Sequence, residues 1–264
     1  MDRLDRTGLK IFSACCLMLG CCGSNSSEPE FGEVNLSLTY LDRFDINNET
    51  EGLDEPSGLA LSREKNALWT VSDKTKKIFK LNLDGGLQTD NAFEIPDEGL
   101  EDIALDPTGE FLFMVKEEGN EIIKLNVNTQ EVAHRRALSE MAGYDTIARY
   151  FVNSPPNKGL EGITWNTDTG SIFVVKEGIP GLLIELSADL ATIHHHVLLN
   201  EANGFIDNEA VGDKLDFSGI CYDRNRKYFW IVSDKGQRLF LYDWQRNKVI
   251  QSLPLGYSIN GEYR

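Results

Sequence analysis

The alternation of apolar and polar positions repeats along this chain in a pattern that can be written four times. The first copy runs Glu55-Pro-Ser-Gly-Leu-Ala-Leu61, then Ala67-Leu-Trp-Thr-Val-Ser-Asp73. The second runs Gly99-Leu-Glu-Asp-Ile-Ala-Leu105, then Phe111-Leu-Phe-Met-Val-Lys-Glu117. The third runs Gly159-Leu-Glu-Gly-Ile-Thr-Trp165, then Ser171-Ile-Phe-Val-Val-Lys-Glu177. The fourth runs Asp216-Phe-Ser-Gly-Ile-Cys-Tyr222, then Tyr228-Phe-Trp-Ile-Val-Ser-Asp234. Each segment is short and rich in β-branched and aromatic residues, and turn formers such as Asp106-Pro-Thr-Gly109 and Asp223-Arg-Asn-Arg226 separate the two halves. Each copy therefore predicts a hairpin. The second strand is apolar on both faces, as in Phe111-Leu-Phe-Met-Val115, which is how a strand covered on both sides reads. Third strands follow at Lys77–Leu81, Glu121–Leu125, Leu182–Leu186 and Arg238–Tyr242. Fourth strands are expected around Gln88–Ile95, Val132–Ala137, Ala191–Leu199 and Val249–Leu253.

Four short antiparallel strands repeated as a unit predict an all-β propeller, with each copy a blade. The extra length between copies falls in insertions around Leu138–Pro156, with room for a helical turn, and Asn200–Lys214. A plain β-sandwich would give no reason for the matched acids described next.

In every copy an acid stands 15 residues after a fixed position in the first strand: Gly58 to Asp73, Asp102 to Glu117, Gly162 to Glu177, Gly219 to Asp234. A second set stands at the entry to the first strand: Glu55, Glu101, Glu161 and Asp216. Glu101 and Glu161 occupy the position that Ser57 and Ser218 hold in the other two copies, whereas Glu55 and Asp216 lie two residues earlier. A propeller that brings both sets to one face makes them a ring around its axis. Like charges 4 Å apart repel by about 4 kcal/mol at an effective dielectric near 20. Such a ring must be protonated, spread out, or neutralised by a cation, and hard oxygen donors on a flexible ring favour calcium. Glu55, Asp73, Glu101, Glu117, Glu161, Glu177, Asp216 and Asp234 are thus the candidate metal ligands. The competing reading is that some of them only tie backbone amides of neighbouring strands together.

Charge and cysteine usage narrow the partners. Acidic residues outnumber basic ones 42 to 26, a formal charge of −16. That excludes the basic stripe which nucleic-acid binding needs, and favours cations. Four of the five cysteines lie within residues 15–22, and only Cys221 lies in the body of the chain, so no internal disulfide framework is possible. Cys221, in an apolar stretch, reads as a small core residue. His194-His195-His196 defines no strand face and makes a weak zinc candidate. Lys74, Lys116, Lys176 and Lys235 adjoin the second acid set and are expected to pair with it.

The first 20 residues combine Arg3, Arg6 and Lys10 with the short apolar run Ile11–Gly20. That is the pattern of a secretory signal, too short to span a bilayer. Leu17-Met-Leu-Gly-Cys21 resembles a bacterial lipobox with Cys21 as the lipidated residue, although Met18 departs from the usual aliphatic position. Residues 21–33 read as a flexible tether and residues 34–264 as the propeller domain.

On Glu55-x-Ser-Gly, Leu100-Glu-Asp-Ile, Leu160-Glu-Gly-Ile and Phe217-Ser-Gly-Ile, with the strand ends Val-Ser-Asp73, Val-Lys-Glu117, Val-Lys-Glu177 and Val-Ser-Asp234, the chain resembles the SdiA-regulated family of bacterial β-propellers. The resemblance covers about residues 38–260. It implies a five-bladed propeller, an exported or anchored location and a bound calcium ion. Only four inner-strand motifs are present here, and the family's last repeat is missing. Leu36–Tyr40 looks like an outer strand whose partners are absent. Two arrangements follow: an incomplete ring, or a true four-bladed ring in which Leu36–Tyr40 closes onto the fourth blade. The functional expectation is an envelope-anchored, calcium-binding module for an unknown ligand or envelope protein. The alternative is a calcium-dependent hydrolase of esters, lactones or phosphoesters, which would need a proton acceptor that the sequence does not single out.

Overall fold

A computed structural model describes residues 35–39, 41–152, 154–155, 158–206, 215–255, 258–259 and 262–263. The signal, Cys21, the tether and most of the second insertion lie outside the described residues. Four antiparallel four-stranded blades follow one another along the chain. Blade 1 holds β1 (Pro56–Leu61), β2 (Ala67–Ser72), β3 (Lys77–Asn82) and β4 (Phe93–Glu94). Blade 2 holds β5 (Leu100–Leu105), β6 (Phe111–Lys116), β7 (Glu121–Asn126) and β8 (Glu131–Ala137). Blade 3 holds β9 (Leu160–Asn166), β10 (Ser171–Lys176), β11 (Gly181–Leu186) and β12 (Ile193–Leu199). Blade 4 holds β13 (Gly219–Asp223), β14 (Tyr228–Ser233), β15 (Arg238–Asp243) and β16 (Lys248–Pro254). The predicted architecture is the one observed.

The two-faced apolarity of the second strands has a direct packing reason. On β6, Leu112 and Met114 enter the core between blades 1 and 2, while Phe113 and Val115 enter the core between blades 2 and 3. On β10, Ile172 and Val174 face blade 2, and Phe173 and Val175 face blade 4. Each such side chain, buried fully, contributes roughly 1.5–3 kcal/mol. The blades are therefore joined mainly by these shared apolar layers.

Two expectations needed correction and a third was incomplete. The outer strand of blade 1 is only Phe93–Glu94, because Thr89-Asp-Asn91 turns as a 3-10 helix instead of extending. Asp and Asn favour turns over pleated backbone. The first insertion carries the expected helical turn, as a 3-10 helix at Leu138–Glu140, but two more follow, at Tyr144–Thr146 and Ala148–Tyr150. Residues 35–39 form no strand.

The innermost strands β1 and β5, β5 and β9, and β9 and β13 pack against each other, but no comparable packing joins β13 to β1 among the described residues. What spans that side is the segment 35–53. Leu36 gives its N–H to Gln251 Oε1 at 2.8 Å and takes Gln251 Nε2–H on its carbonyl at 2.7 Å, and its side chain lies against the outer flank of blade 4. Further along, Phe44 and Ile46 crowd Gly85 in the turn after β3. Leu53 is buried on the outer flank of blade 1 with Phe79 and Leu81. One segment thus reaches from the last blade to the first.

Gln251→Ala removes both hydrogen bonds to Leu36. The expected loss is about 1–3 kcal/mol, at ~0.5–1.5 kcal/mol per bond. Hydrogen exchange should rise selectively over residues 35–39. Unchanged exchange there would show that the side-chain clasp does not hold the segment.

Candidate functional site

The site begins with a backbone irregularity. Where β1, β5 and β9 enter their blades, the pairing to the second strand skips one residue: Gly58, Glu101 and Glu161 are passed over in the three registers. Such a bulge re-aims a side chain that would otherwise alternate into a blade interface. Glu101 and Glu161 are re-aimed, and with Glu117 from the end of β6 they offer carboxylate oxygens that lie within 4.8 Å of one another. All three are partly exposed, so this acidic cluster opens to solvent. Ser57 Oγ and Ser218 Oγ, at the positions matching Glu101 and Glu161, are buried with no hydrogen-bond partner among the described residues.

Glu117 is held in place by the Gly159 N–H, which donates to its Oε1 at 3.0 Å. Burial, helped by the nearby charges of Glu177 and Asp73, nevertheless pushes its pKa above the ordinary carboxylate value, against the opposing pull of Gly159 and Lys158. Acids of three blades therefore feel one another at this end of the axis.

The remaining predicted ligands are engaged elsewhere. Glu177, 7% exposed, meets Lys158 Nζ at 2.5 Å and Lys235 Nζ at 3.7 Å. Asp216 accepts from Ser233 Oγ at 3.0 Å and from the Lys235 N–H at 2.9 Å, so it shapes the turn after β14. Glu55 and Asp73 share Lys74 at 3.4 and 3.2 Å. Asp234 stands at the end of β14, where its carbonyl accepts the Gln237 N–H. The expected lysine pairing thus holds for Lys74 and Lys235, and Lys116 reaches Glu118 at 3.7 Å. Lys176 differs. It is fully buried, and its ammonium donates to the Glu177 carbonyl at 2.9 Å. Burial lowers its pKa.

Two residues escaped the reading of the sequence. Lys158 stands between the first insertion and β9, at a position the repeats do not share. Asp102 is the larger omission. It occupies the position held by Gly58, Gly162 and Gly219 in the other repeats. The reason for those glycines is close approach: a Cβ on Gly58 would collide with Asp102 Oδ1, and one on Gly162 would sit 2.9 Å from Gly219 Cα. Asp102, 1% exposed, uses the same closeness differently. Its Oδ1 accepts the N–H of Ile103, and its Oδ2 accepts the N–H of Ile163 on β9, both at 2.8 Å. One carboxylate thereby ties blade 2 to blade 3. An acid breaking a column of glycines was the available signal.

Burial raises the Asp102 pKa well above its ordinary value, with smaller contributions from Cys221 and Glu101, despite the two amide donors. A carboxyl raised on folding binds protons more tightly in the native state. Its contribution is therefore present below the unfolded pKa and declines as pH climbs from there to the folded pKa. Asp102→Asn should orphan one of the two buried amides and cost about 1–3 kcal/mol. It should also flatten the fall in stability over that pH range. Denaturant melts at a series of pH values check both, and an unchanged slope would remove Asp102 as its source.

Comparison with known proteins adds a family and a set of distant folds. A family model described as SdiA-regulated matches residues 38–261. No curated protein matches the chain. Among solved structures, the chain is similar to one in the crystal structure of a nidogen/laminin complex, at 13% identity and a TM-score of 0.48, covering 76% of this chain and 64% of that one. It is similar to the β-propeller domain of Myceliophteria thermophila Cps50 (Swd1), at 11% identity and 0.44, covering 75% and 54%. It is also similar to Kuenenia stuttgartiensis hydrazine synthase, at 9% identity and 0.48, covering 83% and 52%. The chain spans less than two thirds of the length of each.

Proposed function

The chain belongs to the SdiA-regulated family, matched over residues 38–261, and on that premise we propose that it is a calcium-binding propeller module of the cell envelope that engages a ligand or protein partner. The observation that carries the calcium reading is the convergence of Glu101, Glu117 and Glu161 oxygens within 4.8 Å. Three hard carboxylate donors at that spacing repel strongly unless a cation or protons intervene. The donor set suits calcium, which accepts several oxygen ligands in irregular geometry, better than magnesium, which demands a near-ideal octahedron. Ser57 and Ser218, buried without partners at the matching positions, fit the same chemistry as neutral oxygen donors. When bound, the ion would supply positive charge that holds the inner strands of blades 2 and 3 together at their entry.

The envelope reading rests on the lipobox-like Leu17-Met-Leu-Gly-Cys21 and the polar residues after it. Cys21 is the proposed lipidated residue. Mass spectrometry of the mature N-terminus tests it: a diacylglyceryl mass on Cys21 is expected, and an unmodified N-terminus beyond residue 23 would refute it.

Calcium at 100 times its dissociation constant should stabilise the fold by ~2.7 kcal/mol if it binds only the native state. For a domain of this size, that is a rise in Tm of roughly 5–10 °C, reversed by chelator. The double variant Glu101→Gln/Glu161→Gln should lose the rise. A rise that persists in the double variant would move the ion elsewhere, and no rise in the wild type would end the proposal.

A further inference from the structure

The ends of the axis differ in chemistry. The acids stand where the innermost strands begin. At the strands' far ends lies a separate cavity of about 160 Å³, lined by residues of β1, β5, β9 and β13 together. Leu105 lies four steps along the strand from Glu101, so at ~3.3 Å per residue the two regions are about 13 Å apart. In a chain of net charge −16, no charged side chain lines this cavity. Its walls are largely apolar, with Leu61, Ile103, Leu105, Ile163, Trp165 and Cys221; Thr164 and Thr167 are the polar residues, and the Trp165 indole N–H is buried without a partner among the described residues. Thr164, the nearest polar wall residue on β9, already accepts the Tyr222 N–H at 3.1 Å. Leu61, Leu105, Trp165 and Cys221 remain partly exposed, so the cavity can be entered from solvent.

We propose that this cavity is a second binding site, for a small uncharged apolar molecule about the size of a single aromatic ring. Size and polarity both argue for that class. An apolar cavity of about 150 Å³ is large enough to take benzene, and water gains little from walls that offer it few hydrogen bonds. The missing charge excludes anions and cations alike, since either would be desolvated without a partner. The indole of Trp165, which already packs on Phe113 at 5.2 Å between centroids, presents an aromatic wall to a flat ligand. The proposal stands apart from the calcium reading, because the two ends share no residue.

Fluorobenzene is the probe, followed by fluorine NMR on the full chain, with and without chelator. Saturable line broadening is expected in both conditions. Benzene at saturation should slow alkylation of Cys221 by N-ethylmaleimide at least threefold, as mapped by mass spectrometry of the Cys221 peptide. Two variants fill the cavity from opposite strands, Leu61→Trp and Cys221→Trp. Either, if folded, should weaken fluorobenzene binding at least tenfold. Absent broadening at millimolar probe, undiminished binding in a folded filling variant, or unprotected Cys221 would each overturn the site. Should both variants misfold, Cys221 protection in the wild type decides it.

Discussion

Everything at the axis depends on how closely the innermost strands approach one another. At one level of the ring the repeats place Gly58, Asp102, Gly162 and Gly219. Gly58 abuts Asp102, and Gly162 abuts Gly219, with no space for a side chain between them. A strand that near would leave buried amides without acceptors unless something else bonds them. Asp102 is that acceptor for Ile103 and Ile163. Its near-complete burial is tolerable because both oxygens are bonded and because its proton affinity rises to limit the charge. At the strand entries Glu101 and Glu161 leave the ladder at bulges, and their carboxylates converge.

The blades were legible from sequence because a propeller repeats its period in register. Strands two and three of each blade fell where alternation and two-faced apolarity put them, since both faces meet another blade. The outer strand of blade 1 was misread because hydrophobicity at Phe93 and Ile95 masked the turn chemistry of Thr89-Asp-Asn91. The site was legible only in part. Repeat spacing identified the eight acids but could not separate those facing the axis from those bonded to turns. The separation is made by bulges, which have no periodic signature, and by which acid each lysine reaches, which its place in the repeat does not decide. Glu177 and Asp216 leave the ring because Lys235 lies between them, at 3.7 Å from each. Leu36 read as a strand because its neighbours alternate, yet its backbone is satisfied by a single glutamine side chain 215 residues away.

The distribution of lysines sharpens the electrostatics of the acidic end. Lys74 lies between the two acids of blade 1, Glu55 and Asp73, and Lys158 with Lys235 pairs with Glu177 and Asp216. Between these pairs stand Glu101, Glu117 and Glu161, whose carboxylate oxygens converge within 4.8 Å. Exposed ion pairs contribute little to stability on their own. Their effect here is local: Glu177 and Asp216 each meet a lysine, while Glu101, Glu117 and Glu161 converge beside them. A hard cation entering that end would find three carboxylates already converged, and the flanking lysines would resist its spread to the outer acids.

The far ends of the inner strands carry few charges, and the acid that ends β13, Asp223, is paired with Arg226 at 2.8 Å. Leu61 and Leu105 end β1 and β5 with apolar side chains, and Trp165 is the penultimate residue of β9. A polar entry and an apolar far end follow from the placement of the eight matched acids before or within the first two residues of an inner strand or at the end of its partner. A single carboxylate moved to the position of Leu105 would forfeit the apolar character of that end, because no lysine within the lining would meet its charge.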